Sequence, residues 1–391
     1  MNAELATPDR AIVNAFQGGF PVVAGPFEPA AAALRERGIE IDADELLDRI
    51  TAMDEAGTLS RFGPLVNADE IGGTATLVAI HAPEERYDEV VDAINDRPEV
   101  AHNYAREHPH LNVWFVVSVA DADRVEAVLA EIEAETGQET YDLPKLQEFR
   151  VSAHFPIDGP LEGDGIDLTD VGAGADATTD ASDDATADGL STDELDLIAA
   201  VQDGLPLTRT PYADVAEELG QTPAWVRETL ARFEAEGKIR RIGVVPNHYA
   251  LGYSENGMTV WDVPSEDVAE VGETVAALPF VTHCYERPRH EGVWPYNLFA
   301  MTHGRSEAES EARIEEVRNT IEELTEVRQW DTLFSSEILK KTGINVAERA
   351  ATAADEAGDG DFADADSADA DSAAPDSTDA DSADPDAPTD A

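Results

Sequence analysis

The two halves of this sequence are copies of one another. AFQGGFPVVAGPF at 15–27 aligns with AVQDGLPLTRTPY at 200–212, and GTLSRFGPLVNADEIG at 57–72 with GKIRRIGVVPNHYALG at 237–252. VAHNYAR at 100–106 aligns with VTHCYER at 281–287, and NVWF at 112–115 with NLFA at 297–300. The order is kept and the spacings differ by only a few residues. One module, about 10–155, therefore recurs as about 192–345. The length agrees, since 391 residues exceed the ~250–300 at which a single core stops growing.

The second copy shows the module most clearly. DELDLIAAVQDG reads as a helix, and Pro211 begins a second, short one that Gly220 ends. Thr222 caps a third, with Pro223 at its first position, and KIRRIGVVPN then reads as a strand and turn, which makes a winged helix-turn-helix. The rest alternates as strand (257–263), helix (265–278), strands (280–287 and 296–303), helix (306–324) and strand (327–335), a βαββαβ order. The expected fold class is α+β, with tandem copies of a winged helix-turn-helix plus a ferredoxin-like domain. The boundaries are 1–70 and 71–156 for the first copy, 157–191 for a linker, 192–253 and 254–346 for the second copy, and 347–391 for a tail.

Linker and tail are defined by charge. Residues 158–190 hold ten acidic residues and 355–391 hold fourteen, with no Lys or Arg in either. Such Ala/Asp/Ser-rich segments bury too little apolar surface to order themselves. The whole chain, with 26 basic and 83 acidic residues, carries a formal charge of −57. Repulsion of that size destabilises a compact state unless salt screens it, which points to a halophilic, salt-rich cytoplasm. The same charge argues against anionic membranes and nucleic acid as partners. No apolar run is long enough to span a bilayer, the first twenty residues lack a basic n-region with an apolar core, so no signal peptide is expected, and a single cysteine, Cys284, excludes an internal disulfide.

Most proteins of this layout bind DNA, so a transcriptional regulator is the competing reading. It requires Arg, Lys, Asn or Gln on the third helix. In the second copy that helix offers Arg227 and Arg232 against Glu228, Glu234 and Glu236. In the first, Arg49 stands against six acidic residues between Asp42 and Glu55.

A different pattern marks a site. Residues i, i+2 and i+4 of a strand share a face. His102, Tyr104 and Arg106 therefore point one way in the first copy, as His283, Tyr285 and Arg287 do in the second. A polar sheet surface would explain two such triplets less well than it explains one. Cys284 alternates away into the core. On the next strand Asn112 and Trp114 share a face, as Asn297 and Phe299 do, with Trp294, Tyr296 and His303 nearby; Trp114 and Phe299 also suit a core. Arg240 and Arg241, with Arg61 as the first-copy counterpart, stand out as wing arginines in so acidic a chain, either binding a ligand or lying at a solvated strand edge. His108, His110 and His290 occupy turns, and His154 and His248 read as structural or accessory.

The layout resembles that of the Lrp/AsnC regulators, and the motifs are more specific. FQGGFP with Pro26, SRFG, HNYAR and NVWF resemble one subunit type of siroheme decarboxylase. GKIRRIGVVPNHYALGY, HCYERP and WPYNLFAMTHG resemble its partner subunit. The resemblance covers nearly everything but linker and tail, and the two subunit types are fused here. It implies a carboxy-lyase of haem biosynthesis that removes the C12 and C18 acetate carboxyls of siroheme to give 12,18-didecarboxysiroheme. It also implies no cofactor beyond the substrate's iron. Such a site needs arginines for the carboxylates that stay, apolar walls for the macrocycle and a proton donor. On that basis His283, Tyr285, His102 and His303 are the catalytic candidates, with His283 or His102 available to the substrate iron. Arg241, Arg240, Arg287, Arg61, Arg106, Tyr104, Trp114, Trp294, Tyr296 and Asn297 are the substrate-binding candidates. The expected partners are siroheme and, within the chain, the other copy as a pseudo-dimer, with room for further homo-oligomers and without DNA or membrane. The turn after the triplet is longer in the second copy and carries Trp294 and Tyr296, so it is the one expected to cover the macrocycle and make that copy the main site.

Overall fold

The structure, a computed structural model, describes residues 5–71, 73–119, 122–152, 154–161 and 190–341. The acidic linker from 162 to 189 and the acidic tail lie outside the described residues. In the first copy three helices, α1 (Thr7–Phe16), α2 (Phe27–Glu36) and α3 (Ala43–Glu55), lead to the wing strand β1 (Leu59–Val66). Then come β2 (Thr74–Ile80), α4 (Tyr87–Asn95), β3 (Val100–Arg106), β4 (Val113–Val119), α5 (Asp123–Thr136) and β5 (Thr140–Leu143), followed by an additional strand, β6 (Gln147–Val151). The second copy repeats the series as α6 (Thr192–Val201), α7 (Pro211–Leu219), α8 (Pro223–Ala235), β7 (Ile239–Pro246), β8 (Glu255–Asp262), α9 (Val268–Ala276), β9 (Val281–Glu286), β10 (Leu298–Gly304), α10 (Glu307–Glu322) and β11 (Gln329–Lys341).

Local chemistry sets the helix ends. Ser191 and Glu194 form a reciprocal capping box on α6, and Asp42 caps α3. Thr222 accepts from the Trp225 N–H ahead of Pro223. Gly220 closes α7 in the left-handed conformation that glycine adopts without a Cβ clash.

Each βαββαβ unit has the ferredoxin-like strand order, β5-β2-β4-β3 in the first copy and β11-β8-β10-β9 in the second. In that order the second strand of the unit, β3 or β9, lies at an edge with unpaired backbone groups. Each copy covers the other's edge. After Phe334, β11 leaves β8 and runs along β3, pairing Ile338 with Tyr104. After β5, the chain crosses to β9 and β6 pairs Glu148 with Tyr285. The sequence reading ended the last strand at Ser335 and had no β6; both differences come from this exchange.

The strand order is thus β5-β2-β4-β3-β11-β8-β10-β9-β6, and its two ends, β5 and β6, are consecutive in the chain. The sheet bends round on itself into two facing halves with helices outside. Between the halves lies a core of Ala79, Trp114, Leu143, Met258, Val260, Trp294, Phe299 and Leu333, drawn from both copies.

The six N-terminal helices share a second core that also spans the copies. The wings do not project into solvent, because β1 and β7 pair antiparallel with Gly63 opposite Gly243. Each wing glycine abuts the other copy's first helix end: a Cβ on Gly63 would lie 2.9 Å from the Gly204 Cα, and one on Gly243 only 2.3 Å from the Phe16 carbonyl oxygen. Residues 154–161 dock on α1, where the Asn14 amide donates to the Ile157 and Pro160 carbonyls and the Ile157 N–H returns a bond to the Asn14 Oδ1. The stretch after 156, expected to begin the linker, is therefore ordered as far as 161.

Candidate active site

Both triplets lie where the strand alternation puts them. His283 stands opposite Met301 and Tyr285 opposite Phe299, and cross-strand partners share a face. That face is the one turned toward the other copy. His102 and Tyr104 likewise stand opposite Val116 and Trp114. Cys284 points the other way, fully buried against α9 with its thiol on the Gly272 carbonyl.

The two arginines behave as a symmetric pair. Arg106 donates to the Leu333 carbonyl at 2.9 Å and Arg287 to the Leu143 carbonyl, each on the last strand of the other copy's unit. They are 7% and 8% exposed, and among the described residues neither has a carboxylate within ion-pair distance. The Nε of each is buried without a hydrogen-bond partner. Burial lowers both guanidiniums to about 10. A buried cation without a counter-ion is unusual where acids outnumber bases threefold, and it suits an anionic ligand.

The surroundings of the two triplets differ. Beside Tyr285, Arg287 sits 4.9 Å from the ring centroid and the Lys145 ammonium 5.9 Å from it. Arg240 reaches Glu148 at 2.8 Å and the Asn67 Oδ1 at 2.9 Å. Four segments distant in sequence, β9, β6, β7 and the turn after β1, thus meet at one place. Burial pushes the His283 imidazole down to about 4, against the opposing pull of Glu148. It raises the Tyr285 phenol above its ordinary value. At neutral pH His283 is therefore a neutral imidazole and Tyr285 a protonated donor. An open cleft of about 740 Å³ begins at Glu107, next to the first triplet, and is otherwise lined by the second copy, with Asn256 and the carboxylates of Glu255, Glu307, Glu311, Glu315 and Glu337. Carboxylates at that density repel a polyanion.

Other sequence candidates lie elsewhere. Trp114 and Trp294 are fully buried, 5.0 Å apart edge to face, in the core between the copies. Tyr296 stands edge-on to Trp294 at 4.8 Å. The long turn thus packs inward against the first copy, with His290 bonded to the Asp142 carbonyl, rather than lying over the triplet. Asn297 holds the Val263 N–H, as Asn112 holds that of Ala82. Arg61 donates to the Gln202 carbonyl at the end of α6, a helix-terminal position that favours a cation. Arg241 is buried and donates to the Ser152 carbonyl. His303 is buried near His283, and Thr282, Asn256, His248 and Phe155 surround it. Sequence reading missed Lys145 and Glu148, since nothing local announces a strand that pairs with residues some 137 positions away.

The buried His303 makes a stability prediction. Burial holds its imidazole down to about 3, whereas an unfolded histidine titrates near 6.5. Between those values the unfolded chain takes a proton that the folded chain refuses, so stability falls as pH drops through that window. At high salt, where carboxylate repulsion is screened, the guanidinium midpoint should fall from pH 7 to pH 5. His303→Gln should lessen that fall, and equal slopes in the two proteins would refute it.

Two of the three third-helix arginines are paired with carboxylates. Arg49 is held by Asp9 and Glu45, and Arg232 by Glu194 and Glu236. Among the described residues no helix is long and apolar enough to cross a membrane, and no cluster of three metal-ligating side chains is present.

Comparison with known proteins agrees with the two-copy layout. The model of the siroheme decarboxylase NirDL-like HTH domain matches residues 9–59 and 194–240, and that of the AsnC-like ligand binding domain matches 70–150 and 250–340. The siroheme decarboxylase NirDL subunit of Paracoccus pantotrophus is 32% identical over 88% of this chain and 98% of its own. The siroheme decarboxylase NirH subunit of Stutzerimonas stutzeri is 50% identical over 39% of this chain and 88% of its own. The crystal structure of the siroheme decarboxylase NirDL in co-complex with an iron-uroporphyrin III analogue shares the fold at a TM-score of 0.61 and 24% identity, covering 90% of this chain and 99% of that one.

Proposed function

The chain belongs to the siroheme decarboxylase family, and on that premise we propose that it removes the C12 and C18 acetate carboxyls of siroheme at a site built mainly by the second copy. The observation that carries the reading is Arg287, a buried guanidinium with no carboxylate partner among the described residues, on one face with His283 and Tyr285. Each turnover exchanges a carboxylate for a proton: R–CH2–COO⁻ + H⁺ gives R–CH3 + CO2. The C–C bond breaks, its electron pair passes into the macrocycle, and protonation of the methylene carbon completes the methyl group.

The residues divide this work by their charge states. Arg287 and Arg240 hold carboxylates that stay on the substrate, Arg287 in a site where a bound anion supplies its missing counter-charge. Arg241 backs them from the wing. Tyr285 keeps its proton at neutral pH and donates it where negative charge develops. His283, being neutral, offers a lone pair to the substrate iron. No cofactor beyond that iron is part of the proposal. The acidic surface fits a salt-rich cytoplasm.

The direct test is anaerobic incubation of the purified protein with siroheme at high salt, read by mass. Loss of two CO2 is expected, and no change with verified substrate overturns the proposal. Sequence-specific retention of DNA at high salt would favour the regulator instead. Arginine substitutions test the binding part. Arg287→Ala should weaken siroheme binding by about 1–3 kcal/mol, the range for a charge-assisted bond. Arg287→Lys should lose less, because it keeps the charge without the fork. Absorbance titration that finds unchanged affinity in Arg287→Ala would remove this residue from the site.

A further inference from the structure

The Thr282 hydroxyl lies 2.9 Å from the His283 Nδ1 and 2.9 Å from the His303 Nε2. The His303 Nδ1 lies 2.5 Å from the Asn256 Oδ1, and the Asn256 Nδ2 faces the His248 Nε2 at 3.5 Å. Thr282 reaches two rings because it is the extra residue of a β-bulge: Val281 and His283 pair with the consecutive residues Thr302 and Met301 of β10. We propose that Asn256, acting through His303 and Thr282, holds His283 as the Nδ1–H tautomer and so presents the bare Nε2 lone pair to the substrate.

The argument follows the donors. A contact of 2.5 Å is short even for N–H···O and shorter still against the longer N–H···N range, so the assignment taken has the amide oxygen facing His303 and accepting from its Nδ1–H. The His303 Nε2 is then an acceptor, and the Thr282 hydroxyl donates to it. The Thr282 oxygen is left to accept from the His283 Nδ1–H. Were the amide reversed, every bond in the chain would reverse, and His283 would present an N–H instead of a lone pair. An N–H cannot ligate iron and cannot accept a proton.

The first copy has none of these parts. Ala101 stands where Thr282 does, Ser118 where His303 does and Ala75 where Asn256 does, although Ala101 occupies the equivalent bulge. At these aligned positions the network is therefore confined to the second copy. Thr282, His303 and Asn256 are positioning residues, and His303, a catalytic candidate from sequence, acts through His283.

The inference rests on the role given to His283 above, and two readouts separate them. The first needs no substrate. Two-dimensional ¹⁵N–¹H correlation of histidine rings in the full chain should show His283 protonated at Nδ1 in the wild type. It should show a mixture of tautomers in Thr282→Val and the wild-type pattern restored in Thr282→Ser. The second uses siroheme under anaerobic high-salt conditions. Thr282→Val should lower kcat about tenfold with KM within twofold of wild type, and it should move the absorbance of bound siroheme toward that of His283→Ala. Thr282→Ser should recover both. A wild-type tautomer in Thr282→Val, or an Nε2–H tautomer in the wild type, overturns the inference. A tautomer that shifts in Thr282→Val while His283→Ala leaves the bound spectrum and turnover unchanged overturns the role of His283 instead.

Discussion

Replacing His283 by alanine should abolish turnover, a loss on the order of 10²–10⁴-fold, whereas His102→Ala should slow the reaction or stop it after the first carboxyl. The two histidines are equivalent in sequence, and both face the other copy. Their surroundings make the difference. Lys145, Arg240 and Arg287 gather around the second triplet, the first two sharing Asp69 and Glu148 as counter-charges, while the cleft that begins at Glu107, next to the first, is lined by glutamates. Three cations against two carboxylates leave an excess of positive charge at the second triplet, which favours a polycarboxylate there in the proposed reading. The described structure places a hydroxyl and a second imidazole behind His283. The measurement is product mass for each variant, with siroheme binding followed by absorbance to separate affinity from chemistry. Full activity in His283→Ala with a dead His102→Ala would assign the reaction to the first copy, and equal partial losses would mean two equivalent sites.

The second large effect concerns folding. Gly243→Ala should destabilise the protein by on the order of 1–3 kcal/mol or more, because the new methyl would sit 2.3 Å from the Phe16 carbonyl oxygen. That oxygen belongs to the last residue of α1, which the helical core holds in place, so neither side has room to yield. The reciprocal Gly63→Ala meets the Gly204 backbone at 2.9 Å and also strains a φ of +155°. Gly25→Ala, with nothing within 4 Å, is the control and should change stability by less than about 0.5 kcal/mol. Guanidinium unfolding at fixed high salt checks all three. A Gly243→Ala protein as stable as the control would mean that the wings separate without cost. The SRFG and RRIG motifs, with QGGFP and QDGLP against them, are thus in large part the contact between copies.

The duplication, the βαββαβ order and the shared face of each triplet were legible from residues alone, because each is written in local periodicity. Alternation along VTHCYER and VAHNYAR fixes which side chains share a face, whatever the strand pairs with. Cap and breaker residues such as Thr222, Pro223 and Gly220 fix helix ends within a turn. The resemblance added the substrate class, which no spacing could supply.

The tertiary structure decided what those faces meet. Lys145 and Glu148 reach Tyr285 only because β6 crosses to the other copy. Trp294 belongs to the core because its turn packs on Trp114, and Arg61 caps a helix that begins 131 residues later. Asn256 meets His303 through the β8–β10 register, which brings together residues 47 apart. Side chains near in space and far in sequence leave no periodic trace, since periodicity records only a residue's own element. Sequence therefore specified the faces of each strand, and the exchange of strands between copies specified which of two equal triplets sits among cations.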